Sequence, residues 1–155
     1  AKNSIIPSTQ PTHATSDMYW AESRLGAARL KTAYRAKQFL KAGAALPLGT
    51  DFPVEDINPM YTFRAAVFRQ DAAGFPDTGF FAQQRLSPQE ALKGMTYFGA
   101  YASFEETKKG SLSPGQLADF VIYDTDFLKA PLSVLNTLKP QHTYLAGKEV
   151  YAASR

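Results

Sequence analysis

The period of the hydrophobic pattern changes several times along this chain, and each change marks an element. Ile5 and Ile6, followed by Pro7, Ser8 and Thr9, read as the end of a short buried strand that runs into a polar loop from Gln10 to Asp17. Between residues 29 and 42, Leu30, Ala33, Tyr34 and Leu40 fall near one face, while Arg29, Lys31, Arg35, Lys37, Gln38 and Lys41 are left for solvent. That spacing predicts one amphipathic helix, closed by Gly43. The apolar run Ala44-Ala45-Leu46-Pro47-Leu48-Gly49 predicts a second buried strand ending in Thr50-Asp51-Phe52-Pro53.

Pro59 can open a further helix carrying Met60, Phe63 and Val67, which stops at Asp71-Ala72-Ala73-Gly74. A loop rich in Gly, Pro and Phe follows over 74–86. Ser87-Pro88-Gln89-Glu90 has the form of a capping box with proline at the first helical position, so a helix is expected from there to about Phe104. Past Gly110 the pattern turns to β: a run from Asp119 to Asp124, then a terminal hairpin over 143–151. Buried strands alternating with amphipathic helices imply an α/β fold with a parallel sheet, and the late strands imply a second, antiparallel element.

Composition narrows the function classes. The chain has 155 residues, 45% hydrophobic and 20% charged, enough for a buried core and, by default, one domain. Its 17 basic and 14 acidic residues are scattered rather than run together, so neither nucleic acid nor a membrane surface is expected as a partner. With no cysteine, disulfides, thiolate nucleophiles and cysteine-metal sites are excluded. No apolar stretch approaches the roughly 20 residues a membrane span needs, and no signal segment follows the start, so a cytoplasmic location is expected.

Two residues stand out chemically. Asp51 follows a buried strand directly, where a carboxylate would reach a site, although a turn or capping aspartate before Phe52-Pro53 fits the tetrapeptide as well. His13 is the histidine of the polar loop after the first strand, and the alternative for it is hydrogen bonding to loop backbone. Asp17 can cap a helix beginning near Met18. Phe75, Phe80 and Phe81 fit either a lid over a site or a patch holding the long loop down.

Three segments carry a family pattern: Gln10-Pro11-Thr12-His13-Ala14-Thr15-Ser16-Asp17-Met18, Gly49-Thr50-Asp51-Phe52-Pro53-Val54, and Lys109-Gly110-Ser111-Leu112-Ser113-Pro114-Gly115-Gln116-Leu117-Ala118-Asp119-Phe120-Val121. Together they resemble the amidohydrolase superfamily, in particular its YtcJ-like and N-substituted formamide deformylase-like branch. The resemblance implies the last strands and helices of a (β/α)8 TIM barrel over residues 1–108, plus the C-terminal strands of a small β-sandwich over residues 109–155. Residues 4–10 would be barrel strand seven and residues 44–50 strand eight. A complete barrel takes about 250 residues, so only part of one fits here.

The activity implied is hydrolysis of a C–N bond in a small amide, formamide or cyclic amide by metal-activated water, with zinc or another divalent ion. Asp51 would be both metal ligand and catalytic proton acceptor, and His13, Trp20 and Phe52 would contact substrate. The family's His-x-His pair and its further histidines are missing, since the chain holds only His13 and His142. Most ligands would then lie outside this chain, on the N-terminal portion of the same enzyme or on a partner chain, and the isolated chain is expected to be inactive. The alternative expectation is a non-catalytic interaction module that folds by pairing its sheet edges with another chain, a second copy included.

Overall fold

The computed structural model describes residues 1–154. Its elements are the helices α1 (Pro11–Asp17), α2 (Ala21–Leu25), α3 (Ala27–Leu30), α4 (Ala36–Lys41), α5 (Pro59–Phe68), α6 (Pro88–Met95), α7 (Tyr97–Ala102) and α8 (Leu132–Leu135), and the strands β1 (Phe120–Ile122), β2 (His142–Leu145) and β3 (Lys148–Ala152). Helices with a small antiparallel sheet make this an α/β chain.

Helix α5 organises the core. Asn58 accepts the Met60 N–H at its start, Pro59 fills the first turn, and the chain leaves it through Arg69 in a left-handed conformation (φ 59°). Met60, Phe63 and Ala66 then pack with Leu46, Leu86, Ala91, Leu135 and Leu138. Phe63 is 1% exposed and meets Phe127 edge-on at 5.1 Å between centroids. Burying that ring contributes roughly 1.5–3 kcal/mol.

The capping box forms as expected: Ser87 Oγ accepts the Glu90 N–H at 3.2 Å, and Glu90 Oε2 accepts the Ser87 N–H at 2.7 Å. The helix it starts is shorter than its pattern suggests. Thr96 (φ −121°, ψ −88°) interrupts it and returns its hydroxyl to the Leu92 carbonyl at 2.8 Å, so α6 and α7 replace one continuous helix. The helix expected over 29–42 is likewise divided. Tyr34 takes a positive φ of 52° between α3 and α4, while Gly43 (φ 80°) closes α4 as expected.

The segment read as a polar loop, Gln10 to Asp17, is mostly helix α1. Pro11 starts it, and the Thr15 hydroxyl returns to the Thr12 carbonyl at 3.0 Å, which lets polar residues occupy a helix face packed on α5. Thr12 and Thr15 are buried there.

The two expected strands reduce to one parallel bridge, Thr9 to Leu48. The Thr9 N–H donates to the Pro47 carbonyl at 3.1 Å, and the Gly49 N–H to the Thr9 carbonyl at 3.0 Å. Pro7 and Pro47 have no N–H for a ladder, and the Leu48 N–H goes instead to the Gly94 carbonyl of α6 at 3.0 Å.

The terminal strands form one antiparallel sheet in the order β1-β2-β3, with Phe120 opposite Tyr144 and Thr143 opposite Tyr151. Between 123 and 142 the chain packs back on the core through Phe127, Leu135 and Leu138. Among the described residues no helix is long and apolar enough to cross a membrane.

Candidate functional site

The bridge at Thr9 and Leu48 runs parallel, so both segments deliver the chain to the same end of the fold. From Gln10 it enters α1, whose first turn carries His13; from Gly49 it enters the turn carrying Asp51. There the two side chains meet, His13 Nε2 lying 3.2 Å from Asp51 Oδ2, with 30% and 43% of the side chains exposed. The approach is close but off the ring's N–H direction, which leaves Nε2 buried without a hydrogen-bond partner. An imidazole nitrogen buried beside a carboxylate without a hydrogen bond is an exception to the usual pairing of buried polar atoms.

Local backbone holds this arrangement. Asp51 is left-handed (φ 62°), a conformation that aspartate tolerates better than most side chains. Its carbonyl receives the N–H groups of Val54 at 2.7 Å and Glu55 at 3.3 Å, closing a tight turn. Thr50 Oγ1 accepts the Phe52 N–H at 3.3 Å, and the Thr62 hydroxyl of α5 donates to the Gly49 carbonyl at 3.4 Å. The turn is thereby tied to the core helix.

Of the other expected contacts, Phe52 follows Asp51 directly and is 60% exposed, while Trp20 stands half-exposed at the start of α2. Asp17 caps no helix through its side chain: its Oδ2 accepts the Tyr34 hydroxyl at 2.8 Å. Burial first, then this bond, pushes the Tyr34 phenol up to about 12, against the opposing pull of Arg69. Phe80 packs edge-on to Tyr34 and against Phe81, and Phe75 stacks on Tyr19, whose hydroxyl bonds Asp71. The aromatic residues of the long loop thus hold it to the body. His142 sits on β2, 2.7 Å from Glu149 and away from this site.

Sequence reading missed Ser16, Glu55 and Arg69. Ser16 donates to Glu55 Oε1 at 2.6 Å, a second link between α1 and the Asp51 turn. Arg69 is 2% exposed, bonds the Phe80 carbonyl at 2.8 Å and lies over the Phe80 ring; burial brings it down to about 10, partly offset by Tyr34. A basic residue at a helix C-terminus normally reads as solvated, so nothing in the pattern marked Arg69 as core.

Among the described residues, no three His, Asp or Glu side chains group together to hold a metal ion. A catalytic zinc takes three protein ligands and a structural one four. An imidazole nitrogen beside a carboxylate oxygen, as at His13 and Asp51, is by itself too few donors for either kind of site.

The amidohydrolase family profile matches residues 1–151. Protein LONG AFTER FAR-RED 3 of Arabidopsis thaliana is 39% identical over 153 residues, 95% of this chain and 25% of its own length. The putative amidohydrolase YtcJ of Bacillus subtilis is 29% identical over 154 residues, 99% of this chain and 29% of its own. An uncharacterized metal-dependent hydrolase from Pyrococcus horikoshii superposes with a TM-score of 0.74 at 33% identity, over 84% of this chain and 26% of that one. The chain spans between a quarter and a third of the length of these two curated relatives. With the profile covering nearly all its residues, the chain belongs to the amidohydrolase family.

Proposed function

We propose that these residues contribute Asp51 and His13 to the active site of a metal-dependent hydrolase that cleaves a C–N bond in an amide, formamide or cyclic amide. The observation that carries the reading is the 3.2 Å approach of His13 Nε2 to Asp51 Oδ2 at the end of two parallel segments. A divalent metal, zinc being the expected one, supplies when bound a water that ionises near neutral pH. Asp51 would be the carboxylate this chain contributes to holding the metal, and its role is to take up the proton that water releases on attacking the carbonyl carbon. It then returns the proton to the leaving nitrogen as the C–N bond breaks, giving an acid and an amine. His13 Nε2 faces the same point and polarises the substrate carbonyl, while Phe52 and Trp20, both largely exposed, contact the substrate's apolar part.

The same reading assigns residues 4–10 and 44–50 to neighbouring strands of a (β/α)8 barrel within residues 1–108, and β1–β3 to a β-sandwich over 109–155. An open groove of about 470 Å³ supports it, flanking the first of these segments and lined by Ile5, Ile6, Ala45, Tyr97 and Phe98. Ile5 is 68% exposed there, a surface that further chain would cover. The other metal ligands come from that further chain.

The test is Asp51→Asn in the full-length protein carrying these residues, assayed with a panel of amides and formamides. A proton acceptor of this kind is worth about 10²–10⁴-fold, so kcat should fall by that factor with the metal content and circular dichroism reported alongside. An unchanged kcat sinks the assignment. The second reading, a non-catalytic module that folds by pairing with a partner chain, draws on the same exposed Ile5; it predicts a full-length protein that binds no metal.

A further inference from the structure

Helix α1 and the Asp51 turn touch twice. His13 and Ser16 are three residues apart and share a face of α1. Across from them, Asp51 and Glu55 belong to one tight turn, closed by the Val54 and Glu55 N–H groups on the Asp51 carbonyl. The Ser16 hydroxyl has a choice of acceptors: the Thr12 carbonyl at 3.2 Å, the His13 carbonyl at 3.5 Å and Glu55 Oε1 at 2.6 Å. The carboxylate is both the nearest and the charged one, and a hydrogen bond to an ionised acceptor is about twice as strong as a neutral one. The bond therefore belongs to Glu55, side by side with the His13–Asp51 approach.

That second link matters because the first is weak on its own. His13 Nε2 makes no hydrogen bond to Asp51, the aspartate side chain is 43% exposed and its backbone left-handed, and Phe52 and Val54 beside it are 60% and 75% exposed. Little packing fixes the turn from outside. We infer that Glu55 and Ser16 are positioning residues, whose bond holds the Asp51 turn against α1 so that the Asp51 carboxylate faces His13 Nε2. The inference rests on the proposed role of Asp51.

Its test uses the full-length protein with Ser16→Ala, Glu55→Ala, Glu55→Gln and the Ser16→Ala/Glu55→Ala double variant. Two readouts are taken: kcat and KM on the best amide substrate, and amide hydrogen exchange over residues 51–56. Misplacing a reacting group by about 1 Å costs up to roughly a hundredfold, so Glu55→Ala and Ser16→Ala should each lower kcat about tenfold with KM within about twofold. The double variant should be no worse than either, because both remove one bond. Glu55→Gln keeps an oxygen acceptor for Ser16 and should restore most of the rate. Exchange at the Val54 and Glu55 amides should quicken in the alanine variants and not in Glu55→Gln.

Additive losses, or Glu55→Gln as impaired as Glu55→Ala, would overturn the inference, and so would unchanged exchange. Faster exchange with kcat intact, in a protein that Asp51→Asn inactivates, would overturn it as well, since the link would then exist without serving Asp51. Should Asp51→Asn itself remain active, the proposed function fails by that result, whereas the exchange data still decide whether the Ser16–Glu55 link holds the turn.

Discussion

Helix α5 and the terminal sheet treat their apolar side chains in opposite ways. In α5, Met60, Phe63, Ala65 and Ala66 are at most 2% exposed, and even Thr62 and Arg64 are buried. In β1–β3 no residue is buried: Val121, Leu145, Val150 and Tyr151 are each 44% exposed or more, and the strands are held by their ladder and by the Phe120–Tyr144 stack at 4.5 Å. The first arrangement draws its stability from area removed from water; the second relies on cross-strand pairs worth about 0.2–1 kcal/mol each. The Asp51 turn touches the packed region at its base, where the Thr62 hydroxyl of α5 reaches the Gly49 carbonyl at 3.4 Å.

The largest effect should come from emptying the packed region. Phe63→Ala removes the ring that fills the space between Leu46, Leu135 and Phe127, and large-to-small changes of this kind cost about 3–5 kcal/mol. Urea unfolding should show the midpoint falling by that equivalent, and a loss below about 1 kcal/mol would mean that α5 is not the centre of stability.

A smaller effect is expected where α6 meets the core. Gly94 has a negative φ, so its role is space: a Cβ there would stand 2.6 Å from Leu48 Cγ and 3.0 Å from the Leu46 carbonyl. The Leu48 side chain can give way, but the Leu46 carbonyl is backbone and moves only with the chain. Gly94→Ala should therefore destabilise by about 1–3 kcal/mol, the range for overpacking, even though alanine is the better helix former. Thermal unfolding checks the sign: a stabilised variant would show that the α6 contact is loose.

How much of this was legible depends on what fixed each element. The α5 and α6 starts were readable because proline and a capping box act locally, through Pro59 in one and through Ser87, Pro88 and Glu90 in the other. The meeting of the His13 and Asp51 segments was expected from motif order, and the parallel bridge brings them together. What escaped was non-local. Thr12 and Thr15 look like loop residues until α5 lies beside them, and at the break Tyr34 makes a phenol bond back to Asp17, 17 positions away. Ser16 and Glu55 carried no signal, since two common polar residues 39 positions apart become a pair only through the fold.

The smallest effect should appear in the sheet, with pH as the lever. The His142 hydrogen bond, then the one from Tyr144, hold the Glu149 carboxyl below its ordinary value of 4.5. A carboxyl whose pKa is lower folded than unfolded stabilises the fold above the unfolded value, and that contribution disappears as pH falls through the folded one. Glu149 lies at the sheet surface, so the loss should stay local: protection of the Thr143 and Tyr151 amides, measured by hydrogen exchange and corrected for intrinsic rates, should decline below about pH 4.5 while α5 amides keep theirs. Glu149→Gln cannot ionise, and its protection profile should be flat over the same range, meeting the parent's at the acid end. A parallel decline in the variant would assign the pH response to other groups, whereas equal losses in β2–β3 and α5 would show that sheet and core unfold as one unit and that the contrast between them is only one of exposure.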